Sequence, residues 1–91
     1  MQIQLEFPAA LATVLGMRGL LIDGGGTLRE TFRRIADEYP KLGLHLFDES
    51  GGLREHVLCF WNGTNTRWLP SLDVAMTEGD ELVIMQAASG G

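Results

Sequence analysis

The chain has 91 residues, 45% of them hydrophobic, so it can form one domain with a modest core but has no room for two. Its formal net charge of −5 argues against nucleic-acid binding, because phosphate contacts need a basic surface, and suits a partner with a basic groove. The single cysteine, Cys59, excludes an internal disulfide and fits a cytoplasmic protein. The spacing of the cysteine and histidines does not suggest a metal site. No apolar run approaches the ~20 residues of a membrane span.

The N-terminal part of the sequence predicts two strands. Residues 1–7 alternate between polar and apolar side chains, which indicates a half-buried strand that ends at Pro8. Residues 9–19 are ambiguous between a loop and a short turn. Residues 20–22 predict a second strand, and the break DGGGT follows it.

One long helix is predicted between Thr27 and Pro40. Thr27 and Glu30 have the spacing of a capping box, in which each side chain bonds to a free backbone N–H of the first turn. Pro40 is expected to stop the helix. Residues 43–54 contain three glycines and predict a loop. The apolar stripe that should face the core consists of Leu28, Phe32, Ile35, Ala36 and Tyr39.

The C-terminal half predicts a hairpin and a final strand. Residues 57–61 form its first strand, Asn62-Gly63 its turn, and a short return follows. A connection with at most one helical turn leads to a tight turn at residues 78–80 and a last strand over residues 81–85. One main helix packed on a mixed sheet of four to five strands is an α+β architecture.

Two of these strands are apolar on both faces, although one helix can cover only one face of a sheet. The side chains assigned to the core are Val57, Cys59, Trp61, Leu82 and Ile84. The side chains left on the other face, called the apolar patch below, are Leu58, Phe60, Val83 and Met85. Such a patch is typical of a surface that docks a partner. The alternatives are that residues 43–54 fold over it or that two copies dimerise through it.

After a domain over residues 1–86, we expect residues 87–91 to form a flexible tail that ends in Gly90-Gly91. Glycine has no Cβ, so this end could pass through a channel too narrow for a side chain. The carboxylate of Gly91 would be the reacting group, and it needs activation, most simply as a mixed anhydride with AMP, because it is an anion at neutral pH. A frayed terminus is the alternative. The small residues that keep the approach slim are Ala87, Ala88 and Ser89.

Four stretches of the sequence resemble the MoaD/ThiS family of ubiquitin-like sulfur-carrier proteins. They are the helix GGTLRETFRRIADEY, the strands VLCFWNG and EGDELVIM, and the terminal SGG. The resemblance spans nearly the whole chain and implies a ubiquitin-like β-grasp fold. The segment LFDESGGLREHV is more similar to the longer carriers of cysteine or secondary-metabolite biosynthesis than to the shorter thiamin carrier.

The resemblance implies that the protein is a co-substrate and not an enzyme, with no bound cofactor. An E1-like enzyme would use ATP to adenylate Gly91, and a sulfur donor would convert the product to a thiocarboxylate. The sulfur would pass to a synthase similar to cysteine synthase or molybdopterin synthase, with a zinc peptidase as a further partner in the cysteine type. The apolar patch and the slim tail would contact the activating enzyme. Cys59 has no role in this scheme.

Two other functions stay open. A ubiquitin-like modifier would join the same Gly-Gly end to lysines of other proteins, and a non-catalytic binding module would use the apolar patch alone. Hydrolase chemistry has no support, because His45 and His56 lack serine or acid partners at a recognisable spacing. The segment DGGGT lacks the lysine of a phosphate-binding loop. We expect Trp61 to pack in the core and Trp68 at the sheet edge.

Overall fold

The computed structural model describes residues 1–87. Five strands form one mixed sheet in the order β2-β1-β5-β3-β4. The strands are β1 (Gln2–Glu6), β2 (Gly19–Asp23), β3 (Val57–Trp61), β4 (Thr64–Asn65) and β5 (Glu81–Gln86). The helices are α1 (Ala9–Leu15), α2 (Leu28–Glu38) and α3 (Pro40–Leu46), and a 3₁₀ turn spans Thr66–Trp68. This arrangement confirms the predicted α+β class and its mixed sheet.

The first and last strands of the described chain pair with each other in the middle of the sheet. β1 and β5 run parallel, with Leu5 opposite Leu82, and both side chains have no exposed surface. β2 lies antiparallel on the outer side of β1, and β3 lies antiparallel on the other side of β5. Neighbours on both sides therefore fix β5, the strand that leads to the C-terminal end.

Helix α2 begins as its capping box predicts. The Thr27 hydroxyl accepts a hydrogen bond from the Glu30 N–H at 3.1 Å, and the Glu30 carboxylate accepts one from the Thr27 N–H at 3.1 Å. Leu28, Phe32 and Ile35 are buried on the predicted stripe. These side chains fill the core between α2 and one face of the sheet.

Helix α1 occupies the stretch that the sequence left ambiguous. It buries Leu11 in the core and ends at Gly16, which adopts a left-handed conformation with φ 74°. Its first turn has no capping side chain, because Pro8 holds the N-cap position. The sequence signal was therefore weak, and the burial of Leu11 against the core stabilises the helix.

Helix α3 corrects the prediction of a loop over residues 43–54, since it occupies the first part of that segment. Pro40 ends α2 as predicted but is also the first residue of α3, where its missing N–H leaves no backbone bond unmade. Gly43 lies inside the helix because a Cβ there would stand 3.0 Å from the Cα of Ala36. The glycine that suggested a loop thus lies where α2 and α3 approach each other closely.

The C-terminal half follows the predicted hairpin. β3 has the predicted bounds, and the turn at Asn62-Gly63 has positive φ at both residues, 48° and 87°. β5 is one residue longer than expected and ends at Gln86. Trp68, expected to pack at the sheet edge, is 77% exposed, so that prediction was wrong.

Neither a membrane-spanning helix nor a cluster of metal ligands is found within residues 1–87. No helix there has the length and apolar character needed to cross a bilayer. In the same range no three His, Cys, Asp or Glu side chains stand close enough together to hold a metal ion.

Candidate functional site

The two faces of the sheet differ in the way that the strand patterns predict. Val57, Cys59, Leu82 and Ile84 are buried on the face that carries the helices. Trp61, assigned to the same core, is only half-buried. Its indole lies at the margin of the core, where the N–H reaches Asp80.

The apolar patch consists of two cross-strand pairs on the opposite face. Leu58 lies opposite Met85 and Phe60 lies opposite Val83 in the register of β3 and β5. Directly opposed side chains of an antiparallel pair contact each other, which explains why Leu58, Phe60 and Val83 are half-buried. Met85 is 48% exposed. The structure therefore brings the four predicted residues together as one accessible apolar surface.

Polar side chains border this patch on the β1 side. Glu6 lies beside Val83 and Gln4 beside Glu81 in the parallel register of β1 and β5. The Gln4 amide donates a hydrogen bond to the Glu6 carboxylate at 3.0 Å. The rim thus carries two carboxylates, in keeping with the net charge of −5. A complementary surface would be apolar at its centre and basic at that border.

The segment over residues 43–54 does not cover the apolar patch, so that alternative was wrong. Leu46 and Phe47 are buried in the core, and the Phe47 ring packs against Phe32 of α2 with centroids 5.2 Å apart. Arg54 returns to α3, where its N–H bonds to the Leu46 carbonyl at 2.9 Å. The segment is therefore held on the helical side of the sheet.

The root of the tail lies where β5 meets the start of β3. Gln86 pairs with Val57, and the Ala87 N–H donates to the His56 carbonyl at 2.9 Å. Ala87, predicted as the first residue of the tail, is thus still bonded to the turn that precedes β3. The other predicted tail residues, Ala88, Ser89, Gly90 and Gly91, lie outside the described residues.

Arg67 holds the backbone around His56, the residue to which Ala87 is hydrogen-bonded. Its guanidinium donates to the carbonyl oxygens of Arg54 at 2.7 Å and Val57 at 2.8 Å. These contacts fix the turn that contains His56, and hence the carbonyl that accepts from Ala87. No sequence pattern marked Arg67, because its partners are backbone oxygens and not charged side chains.

Asp80 fixes the other end of β5. Its carboxylate accepts hydrogen bonds from the Trp61 indole, the Asn62 amide and both the N–H and hydroxyl of Thr77, at 2.8–3.0 Å. Burial alone would raise the pKa of Asp80, but these hydrogen bonds, led by that from Asn62, outweigh it and lower the pKa to about 2. The sequence predicts Asp80 only as a residue of the tight turn over residues 78–80.

Cys59 lies on the core face of β3 and has no exposed surface. Burial raises the pKa of its thiol to about 12, so the group stays protonated and unreactive near neutral pH. His45 and His56 are exposed on separate elements. Within residues 1–87 the side chains at the site can therefore bind and position a partner, and none is set up as a nucleophile.

A comparison with protein families matches residues 5–91 to the ThiS family. Among solved structures, SAMP1 from Haloferax volcanii is 28% identical over 100% of both chains, with a TM-score of 0.78. CysO from Mycobacterium tuberculosis is 24% identical over 94% of this chain and 99% of its own, with a TM-score of 0.76. A chain of the BexX/CysO complex from Amycolatopsis orientalis is 22% identical over 98% of this chain and 99% of its own, with a TM-score of 0.77.

These similarities confirm the ubiquitin-like β-grasp fold. No curated protein sequence matches the chain.

Proposed function

The chain belongs to the ThiS family of ubiquitin-fold sulfur carriers and modifiers, and on that basis we propose that it carries sulfur on its own C-terminus. Members of this family are small carrier proteins and not catalysts. In this proposal the reactive group is the carboxylate of Gly91, and the folded domain positions it in the active sites of other proteins. The protein is consumed and regenerated as a co-substrate.

The chemistry has two steps on Gly91. A carboxylate oxygen first attacks the α-phosphorus of ATP on an E1-like enzyme, pyrophosphate leaves, and an acyl adenylate forms. Hydrosulfide from a sulfur donor then attacks the carbonyl carbon, AMP leaves as the C–O bond breaks, and loss of the S–H proton gives a thiocarboxylate. The thiocarboxylate sulfur is a far better nucleophile than the original oxygen and passes to an acceptor. The use of ATP supports a cytoplasmic location.

The relation between the apolar patch and the tail root is the observation that carries this proposal. Val83 and Met85 of the patch lie on β5, and the same strand leads to Ala87 at the root. Gly91 is the fourth residue after Ala87, and an extended chain spans at most ~3.5 Å per residue. A partner docked on the patch therefore has the carboxylate within about 14 Å of the root.

Small side chains before the terminus complete this arrangement. Ala88 and Ser89 follow the root, and Gly90 and Gly91 have no side chain beyond hydrogen. A narrow channel can thus admit the chain end while the domain stays outside, since only backbone width is needed. In this proposal the tail and the apolar patch act together, because docking of the patch sets the position from which the C-terminal end enters the partner's channel.

For the acceptor we propose a synthase of the cysteine or secondary-metabolite type. The likeness to CysO, and to a chain of the BexX/CysO complex, supports this choice, as does the length of the segment over residues 43–54. A zinc peptidase that releases an acylated product would accompany the cysteine type. A molybdopterin-synthase-like acceptor is the competing choice, and assays of sulfur transfer to each synthase distinguish them.

Intact-mass spectrometry tests the central claim. Protein purified from its native host, or incubated with its activating enzyme, ATP and sulfide, should gain the mass of one oxygen-to-sulfur exchange at the C-terminus. Omission of ATP should abolish the change, because the free carboxylate does not react with sulfide. A chain that is adenylated but never bears sulfur would contradict the proposal.

A protein modifier is the second candidate, and the similarity to SAMP1 over the whole of both chains favours it. SAMP1 from Haloferax volcanii is named small archaeal modifier protein 1, a name that describes a protein modifier. The same acyl adenylate would then be attacked by a lysine of another protein, with loss of AMP and formation of an isopeptide bond. Lysine conjugates in the host without any thiocarboxylate would favour this function over sulfur transfer.

A further inference from the structure

Lys41 is the only lysine in the chain, and the six other basic residues are arginines. An activated acyl group reacts with amines and thiols that carry a free electron pair. Arginine does not compete, because its guanidinium stays protonated at every pH at which a protein is folded. A chain with this composition offers very few groups that could attack its own activated end.

Among the described residues, burial or an ion pair keeps two other nucleophiles from attacking the activated end. Cys59 is fully buried and its thiol is protonated near neutral pH. The terminal ammonium of Met1 donates a hydrogen bond to the Asp23 carboxylate at 3.0 Å. It must break this ion pair before it can attack, whereas Lys41 has no ion pair to break within residues 1–87. Serine and threonine hydroxyls are weak nucleophiles unless a base stands beside them.

Lys41, in contrast, is exposed on the side of the molecule away from the apolar patch. It is the second residue of α3, whose Leu42 and Leu46 are buried in the core on the helical face of the sheet. Within residues 1–87 its ammonium takes part in no ion pair. A partner bound to the patch therefore leaves Lys41 in contact with solvent.

We propose that Lys41 is the acceptor site when the activated acyl group of Gly91 is transferred to this protein itself. The inference rests on the proposed function, because it needs an activated Gly91. The Lys41 ammonium first gives up a proton to solvent, and the Nζ lone pair then attacks the carbonyl carbon of the acyl adenylate. A C–N bond forms, the C–O bond to AMP breaks, and Nζ releases a second proton. Since each copy then has one donor end and one acceptor, copies that are joined form unbranched chains.

The test uses the full chain released from an intein as a C-terminal thioester, which activates Gly91 without any enzyme. Amine attack breaks the C–S bond and releases the thiol. We expect a self-acylated product whose tryptic peptide containing Lys41 carries residues 68–91 as a branch, because Arg67 is the last site for trypsin. The intact mass shows whether one copy or two are joined.

The matched control is Lys41→Arg, which keeps the positive charge and removes the nucleophile. We expect loss of the self-acylated product, with the thioester consumed by hydrolysis alone. Self-acylation of this variant at the wild-type yield, a branch on the Met1 amine, or wild-type thioester that only hydrolyses would each overturn the proposal. Failure of sulfur loading in the enzyme assay would count against the proposed function alone, because the thioester experiment does not use that enzyme.

Discussion

The indole N–H of Trp61 donates a hydrogen bond to the carboxylate of Asp80 at 3.0 Å and so joins the end of β3 to the start of β5. Asn62 strengthens the junction, since its side-chain oxygen accepts from the Glu81 N–H at 2.9 Å. The two strands that carry the apolar patch are therefore fastened at one end by Asp80. At their other end they are fastened by the bond between Ala87 and His56.

Replacement of Asp80 by Ala should lower the free energy of unfolding by about 2–4 kcal/mol, because four hydrogen bonds to a buried, charged acceptor are lost. Asp80→Asn should cost about half as much, since one oxygen can still accept. Urea denaturation followed by tryptophan fluorescence measures both. Asp73→Ala is the control, because its ion pair with Arg29 is exposed and should contribute less than about 1 kcal/mol. Equal losses at positions 73 and 80 would show that the Asp80 contacts do not stabilise the fold.

Stability should also depend on pH through Asp80. Its pKa falls from 3.8 to about 2 on folding, so as the pH is lowered the unfolded chain binds a proton before the folded chain does. The stabilisation is complete well above pH 3.8 and is lost as the pH falls through about 2. Denaturation midpoints measured down this range should therefore decrease.

The variant Asp80→Asn should show a shallower decrease, because position 80 no longer titrates. Some slope should persist, since the Met1 ammonium also lowers the pKa of Asp23 and hydrogen bonds from Ser50 lower that of Asp48. Parallel pH profiles for the wild type and the variant would mean that Asp80 does not supply this linkage.

Phe60→Asp should weaken binding to the activating enzyme by about 10- to 100-fold, because it places a charge at the centre of the apolar patch. Calorimetric titration of the enzyme with each variant measures the loss. Leu44→Asp is the matched control, since Leu44 is 70% exposed on α3, on the other side of the molecule. If the Leu44 variant binds more weakly and the Phe60 variant does not, the docking surface lies on the helices.

Deletion of Gly91, or replacement of Gly90 by Phe, should abolish ATP-dependent release of pyrophosphate. The first change removes the carboxylate at its proper distance, and the second widens the chain end beyond backbone width. Thermal unfolding should be unchanged, because the bond of Ala87 to His56 and the pairing of β5 do not involve these residues. Ser89→Ala, which stays slim, should retain full activity, and full activity of the Phe variant would refute the channel argument.

Short-range patterns predicted the parts of this fold whose signals are local. The capping box of Thr27 and Glu30, the alternation of β1 and the Asn62-Gly63 turn each depend on residues within one or two turns of chain. Helices α1 and α3 were not predicted, because each has only seven residues and no capping side chain. Helices so short form only against a core, which no local pattern reveals.

In the candidate site, too, local patterns were predictable and contacts between distant residues were not. The pairing of Leu58 with Met85 and of Phe60 with Val83 follows from strand alternation, so the apolar patch was predictable. The contact of Asp80 with Trp61 and that of Arg67 with Val57 were not predictable. The two partners are 19 and 10 residues apart in the sequence and become neighbours only in the folded chain. A sequence shows which side chains leave the core, but not which distant backbone atoms they meet.

The parallel pairing of β1 with β5 bears on how the protein is made. A ribosome releases β1 first and β5 last, so the centre of the sheet stays empty until nearly all of the chain has emerged. Contacts of such large sequence separation slow folding, and until β5 emerges Leu5 and its neighbours can pair only with β2. A translation product truncated before β5 would lack the central strand of the sheet and would leave Leu5 without its partner Leu82.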